Sequence, residues 1–96
     1  MAYTVTEFES TPNPHAVKCW LDKPISSHPR SFLNREMAEA DPLARALFDE
    51  AGAVCVLFNG DWVTVNKTPE ASWPQVRERI KRVLGSAASP EPRSAE

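Results

Sequence analysis

The chain has 96 residues, with eleven Lys/Arg against thirteen Asp/Glu and a formal net charge of -2, which is room for one domain and one core. That balance argues against a domain that grips nucleic acid chiefly through phosphates, since such domains usually carry a marked basic excess, and it disfavours an RNA- or DNA-binding module built on a basic helix and tryptophans. Cys19 and Cys55 are too few and too far apart for a disulfide framework or a CxxC pair, and no charged-then-apolar leader or long apolar run is visible, so a cytoplasmic setting without membrane contact is expected.

Residues 3–8 are rich in β-branched and aromatic types and predict a strand; residues 15–21 predict a second. Between them Thr11-Pro12-Asn13-Pro14 makes a stiff turn, because each proline fixes its own φ and pushes the preceding residue toward extended backbone. Alternation along the second strand puts Val17, Cys19 and Leu21 on one face and Ala16, Lys18 and Trp20 on the other. Lys18 marks the second face as the wetter one. Asp22 to Arg30 reads as a long Pro- and Ser-bearing connection, with at most a short extended piece over Ser31 to Asn34. Residues 35–40 suit a helical turn that Pro42 keeps apart from the first full helix.

Asp41-Pro42 opens that helix with an N-cap carboxylate and a proline at the first helical position, Leu43, Leu47 and Ala51 supply its buried stripe, and Gly52 stops it. Ala53 to Phe58 is apolar throughout and predicts a central strand partly covered on both faces. Asn59-Gly60-Asp61 turns the chain into Trp62 to Lys67, where Val63 and Val65 face one way, Trp62 and Thr64 the other. Ser72-Trp73-Pro74-Gln75 has the pattern of a capping box, and Trp73, Val76, Ile80, Val83 and Leu84 then recur at helical spacing. Arg77, Arg79, Lys81 and Arg82 give this helix a basic side, either a solvated surface or a face for an acidic partner. The order ββαββα predicts an α/β (α+β) domain over 1–85: two layers, a four-stranded mainly antiparallel sheet with both helices on one face, and a disordered tail over 86–96.

The ordered set Thr11-Pro12-Asn13-Pro14, Asp41-Pro42-Leu43-Ala44-Arg45-Ala46-Leu47-Phe48, Gly52-Ala53-Val54, Asp61-Trp62-Val63-Thr64-Val65-Asn66-Lys67 and Trp73 resembles the N-terminal domain of Nfu/NifU-type iron–sulfur cluster scaffold proteins, over about residues 3–84. Cys19 and Ala53 depart from that pattern, where an aromatic or aliphatic residue and a valine are common. The resemblance implies a domain that accompanies a second, CxxC-bearing domain whose thiolates carry the cluster. No CxxC occurs in these 96 residues, so the expectation is a stand-alone domain without cluster chemistry of its own.

A bare sheet face bearing Lys18, Trp20, Trp62, Thr64 and Leu57 would form an aromatic patch suited to a partner, unless the tail or the 22–34 connection covers it. Together with the stiff loop Thr11, Pro12, Asn13 and Pro14 it is the candidate partner-binding site. The partner implied by the resemblance is a CxxC-containing cluster carrier or a client apoprotein, met by a monomer. No catalytic constellation is present, and His15 reads as a solvated loop histidine. No cofactor is expected in this chain; iron or a cluster would come through the partner. The alternative is direct binding of iron or a cluster, bridged between two copies through Cys19 or Cys55. Four thiolates usually hold a cluster, so buried structural cysteines are the simpler reading.

Overall fold

The two halves of the chain each contribute a hairpin, and the hairpins join edge to edge into one sheet. The computed structural model describes residues 3–86. Its elements are β1 (Val5–Ser10), β2 (Ala16–Leu21), β3 (Ser26–Phe32), α1 (Pro42–Ala51), β4 (Ala53–Gly60), β5 (Trp62–Lys67) and α2 (Trp73–Ser86). The sheet runs β1-β2-β5-β4-β3, with every neighbouring pair antiparallel. β2 and β5 join the halves, pairing Cys19 with Val63 and Trp20 with Trp62.

The sheet therefore has five strands, not the four expected. The missing one is β3, inside what reads as a loop. Ser26-Ser27-His28-Pro29-Arg30-Ser31-Phe32 hides its nature because only its two ends, Ser26 and Phe32, are buried, and its register with β4 shifts between Ser26 and Arg30. An outer strand tolerates this, since Pro29 has no N–H to give and needs a neighbour on one side only. With β3 outside it, β4 is an interior strand, as its apolar run predicts; only Val54, at a register shift against β5, is 43% exposed.

Helix α1 begins and ends as its sequence predicts. One Asp41 carboxylate oxygen accepts from the Leu43 and Ala44 N–H groups, both at 3.1 Å, and Gly52 adopts φ 78° while its N–H caps the Leu47 carbonyl. The other Asp41 oxygen accepts from Arg30 Nη2 at 2.6 Å, so the late strand and the first helix are tied at one point. The Arg30 guanidinium also lies against the Phe32 and Phe58 rings, 5.4 and 5.9 Å from their centroids. Residues 35–40 form the expected separate turns, with i to i+3 bonds at Ala38 and Glu39 and Ala38 buried.

In α2 the Val76 N–H reaches the Ser72 carbonyl at 2.9 Å. Among the described hydrogen bonds the side-chain half of the expected capping box does not appear, and the helix continues through Gly85 to Ser86. The remainder of the expected tail lies outside the described residues. Both helices cover the face that carries Val17, Cys19, Val56, Phe58, Val63 and Val65, and add Leu47, Val76, Ile80 and Leu84 to one core. Each such large side chain stabilises the fold by about 1.5–3 kcal/mol on burial. At the opposite end of the chain, Tyr3 is buried and its N–H donates to the Leu84 carbonyl at 2.9 Å.

Candidate interaction site

Residues directly opposed in an antiparallel ladder share a face, so the register assigns the uncovered side of the sheet without ambiguity. Glu7 opposes Trp20 and Glu9 opposes Lys18; Trp20 opposes Trp62 and Lys18 opposes Thr64; Trp62 opposes Asn59, Thr64 opposes Leu57 and Asn66 opposes Cys55. The alternation around Lys18 thus places Lys18, Trp20, Trp62 and Thr64 together. The two indoles meet edge to face, with centroids 6.5 Å apart and planes at 60°. The Lys18 ammonium sits 4.5 Å from the Trp20 ring centroid and 4.4 Å from that of Trp62, in the range of a cation–π contact. The Trp20 indole N–H donates to Glu9 Oε1 at 2.7 Å. A carboxylate, two indoles and an ammonium therefore hold one another in place. Residues 26–32 of the connection extend the sheet at its edge as β3 instead of folding over the tryptophans.

The proline loop is rigid for reasons beyond its prolines. The Thr11 hydroxyl lies 2.9 Å from the Asn13 carbonyl oxygen, to which it donates, and accepts from the Asn13 N–H at 3.1 Å. Asn13 Oδ1 accepts from the His15 N–H at 2.9 Å. The Pro14 carbonyl accepts from the Trp73 indole N–H at 3.1 Å. That last bond docks the loop on the helix layer. The expected site residues thus occupy two places: Lys18, Trp20, Trp62 and Thr64 stand on the open face, and the Thr11 to Pro14 loop meets the start of α2 through Pro14. A cleft of about 200 Å³ lies at the second, lined by Ser10, Thr11, Asn13, Pro14, Ala16, Val17, Trp73 and Arg77.

Trp73 is the residue that sequence reasoning missed here, because it reads as one more member of an apolar helix stripe; its contact lies 59 positions away in the chain. Its ring is also approached by Lys67 Nζ at 5.0 Å. Lys67 is only 6% exposed, and its ammonium donates to the Thr68 carbonyl at 3.2 Å. His15 is less solvated than expected: its Nδ1 is buried without a hydrogen-bond partner, and its carbonyl accepts from the Lys67 N–H at 2.8 Å.

The two cysteines lie on opposite faces of the sheet. Cys19 opposes Val63 in the core and is fully buried; burial pushes its thiol up to about 12, which the Arg77 charge only partly offsets. Cys55 opposes Asn66 on the open face and is half-buried. Cluster ligation needs thiolates, and Cys19 is poorly suited to supply one. Among the described residues no group of three or more His, Cys, Asp and Glu is placed to hold a metal ion. The donor set of a single chain therefore does not fit an iron–sulfur cluster. Among the described residues no helix is long and apolar enough to cross a membrane.

Comparison with known proteins gives this geometry a family. The family model described as scaffold protein Nfu/NifU N terminal matches residues 5–90. NifU-like protein 4, mitochondrial, of Arabidopsis thaliana is 34% identical over 73 residues, which is 75% of this chain and 26% of that protein. The NFU1 iron-sulfur cluster scaffold homolog, mitochondrial, of Drosophila erecta is 31% identical over 78 residues, covering 79% of this chain and 28% of that protein. The chain thus spans about a quarter of the length of these relatives, both named as mitochondrial. A NifU-like protein from Saccharomyces cerevisiae, solved in solution, shares the fold with a TM-score of 0.73 at 19% identity, over 86% of this chain and 76% of that one. The crystal structure of a Staphylococcus aureus protein does so with a TM-score of 0.68 at 16% identity, over 83% of this chain and 96% of that one. With the proline loop, the capped α1 and the Asp61 to Lys67 strand in the order and places described, this chain belongs to the Nfu/NifU N-terminal family of iron–sulfur cluster scaffold proteins.

Proposed function

We propose that the domain is a non-catalytic interaction module of iron–sulfur cluster assembly or delivery, which docks to a CxxC-bearing cluster carrier or to a client apoprotein. The observation that carries this reading is the Trp20–Lys18–Trp62 cluster on a sheet face that the helices leave open. Tryptophans fixed before binding lose little side-chain freedom on docking, which is what makes aromatic residues effective interface anchors. In this reading the cluster is cargo and stays on the partner's thiolates; this domain supplies position, not ligands.

The size of the face bears on the strength of the contact. Five strands about 4.8 Å apart and about six residues long make a face of roughly 500 Å², against about 800 Å² per partner in a standard stable interface. A contact of that size is transient, as suits a module that must release what it has docked, and it favours a monomer over a dimer joined through this face.

The experiment is an NMR amide-shift titration of the labelled domain with a separately expressed, cluster-loaded CxxC domain of the Nfu type. Shifts gathered around Lys18, Trp20, Trp62 and Thr64, with or without the Thr11 to Pro14 loop, are expected. Saturating carrier that moves none of these amides would end the docking reading.

A further inference from the structure

We propose that the cleft between the proline loop and the first turns of α2 receives an acidic side chain of a partner polypeptide, held by the Arg77 guanidinium. This rests on the docking reading and names a second point of contact on the helix side of the sheet. Arg77 follows Trp73 by one helical turn, so both present to the same side of α2, and both line the cleft. Its guanidinium lies 5.6 Å from the Phe8 ring centroid and has no carboxylate partner among the described ion pairs, whereas Arg30, Arg35, Arg45 and Lys81 each have one. Arg79 and Arg82 lack one as well, but neither lines the cleft.

The remaining lining sharpens the specificity. Asn13 spends its side-chain oxygen on the His15 N–H, which leaves its NH₂ group as a donor, and Ser10 also lines the cleft. No acidic residue lines the cleft. A cleft with one cation, a free amide donor and no anion is complementary to a carboxylate, which a guanidinium can grip with two parallel hydrogen bonds. Pro14, Val17 and Trp73 add apolar wall, and the Trp73 bond to Pro14 holds that wall in shape before binding. At about 200 Å³ the cleft falls below the roughly 300–1,000 Å³ of small-molecule sites. It is of a size for one side chain presented by a protein.

The test titrates the whole labelled chain with an end-blocked peptide carrying one Glu among leucines, with its Gln counterpart, with inorganic phosphate, and with the cluster-loaded CxxC domain. Each is repeated on Arg77→Gln and on Arg79→Gln, the latter controlling for general loss of charge. Expected are shifts at the Ser10 and Asn13 amides and the Trp73 indole with the Glu peptide only, lost in Arg77→Gln and kept in Arg79→Gln. Carrier affinity should fall roughly tenfold in Arg77→Gln, the loss of one charge-assisted contact. Equal shifts from the Glu and Gln peptides, no shift at the cleft from either, or phosphate acting as well as the Glu peptide would overturn the assignment. A carrier that binds wild type and Arg77→Gln alike removes the cleft and leaves the docking reading standing. A carrier that does not bind, beside an Arg77-dependent Glu-peptide site, does the reverse.

Discussion

The two faces of the sheet are built from the same strands yet obey different rules. On the covered face, Val17, Cys19, Val56, Phe58, Val63 and Val65 meet the helices and are at most 3% exposed; their identities answer to packing volume. On the open face, Lys18, Trp20, Trp62 and Thr64 are half-buried, and the first three satisfy one another through rings, an ammonium and the Glu9 carboxylate. The first face makes the domain fold and the second can change with little loss of stability. A face free of folding duty is where binding specificity can reside.

Thiol reactivity should divide the faces most sharply. Burial pushes the Cys19 thiol up to about 12 and leaves it out of reach of solvent, so its reactive thiolate is strongly disfavoured. Iodoacetamide followed by mass spectrometry should mark Cys55 alone in the folded protein and both cysteines in denaturant; early labelling of Cys19 would mean that the core opens.

Stability comes next. Phe58→Ala should cost about 3–5 kcal/mol in urea unfolding, because it empties a fully buried site. Trp62→Ala should cost about 1 kcal/mol, the scale of the cation–π and edge-to-face contacts that it removes. Similar costs for the two would break the comparison and make the open face a second core.

The smallest effect lies on the outer surface of the helix layer. Arg35 donates to both Asp49 oxygens at 3.0 and 2.8 Å and also pairs with Glu39, which holds the Asp49 carboxyl below its usual range. A folded-state pKa below the unfolded one stabilises above the unfolded value, about 4, and that contribution fades as pH falls through the folded value. The groups are solvent-exposed, so the urea midpoint of Asp49→Asn should differ only slightly from wild type at pH 6, and the difference should shrink as pH falls below the ordinary carboxylate range. A gap that widened on acidification would contradict this pairing.

Much of this arrangement is legible in the residues, and the exceptions share a cause. The Asp41 cap, the Gly52 stop, the Asn59 to Asp61 turn and the assignment of Lys18, Trp20 and Trp62 to the wet face all depend on local chemistry or on period-two alternation. β3 has neither signal: its register breaks in mid-strand and its proline sits where only an edge permits one. The contact of the proline loop with α2 was hidden because it turns on the Trp73 to Pro14 bond, and pairing across such a span leaves no mark on either segment. The cleft was half legible, since Arg77 reads as part of a basic helix side but not as the residue standing over a pocket.

Both outer strands of the sheet are interrupted, β1 between Val5 and Glu7 and β3 between Ser26 and Arg30, where Pro29 also removes a donor. Interrupted borders are poor templates for an incoming β-segment. Copies of this domain should therefore resist stacking into fibrils even when crowded, and the docking proposed above must work through side chains, since an incoming main chain finds no continuous ladder to extend.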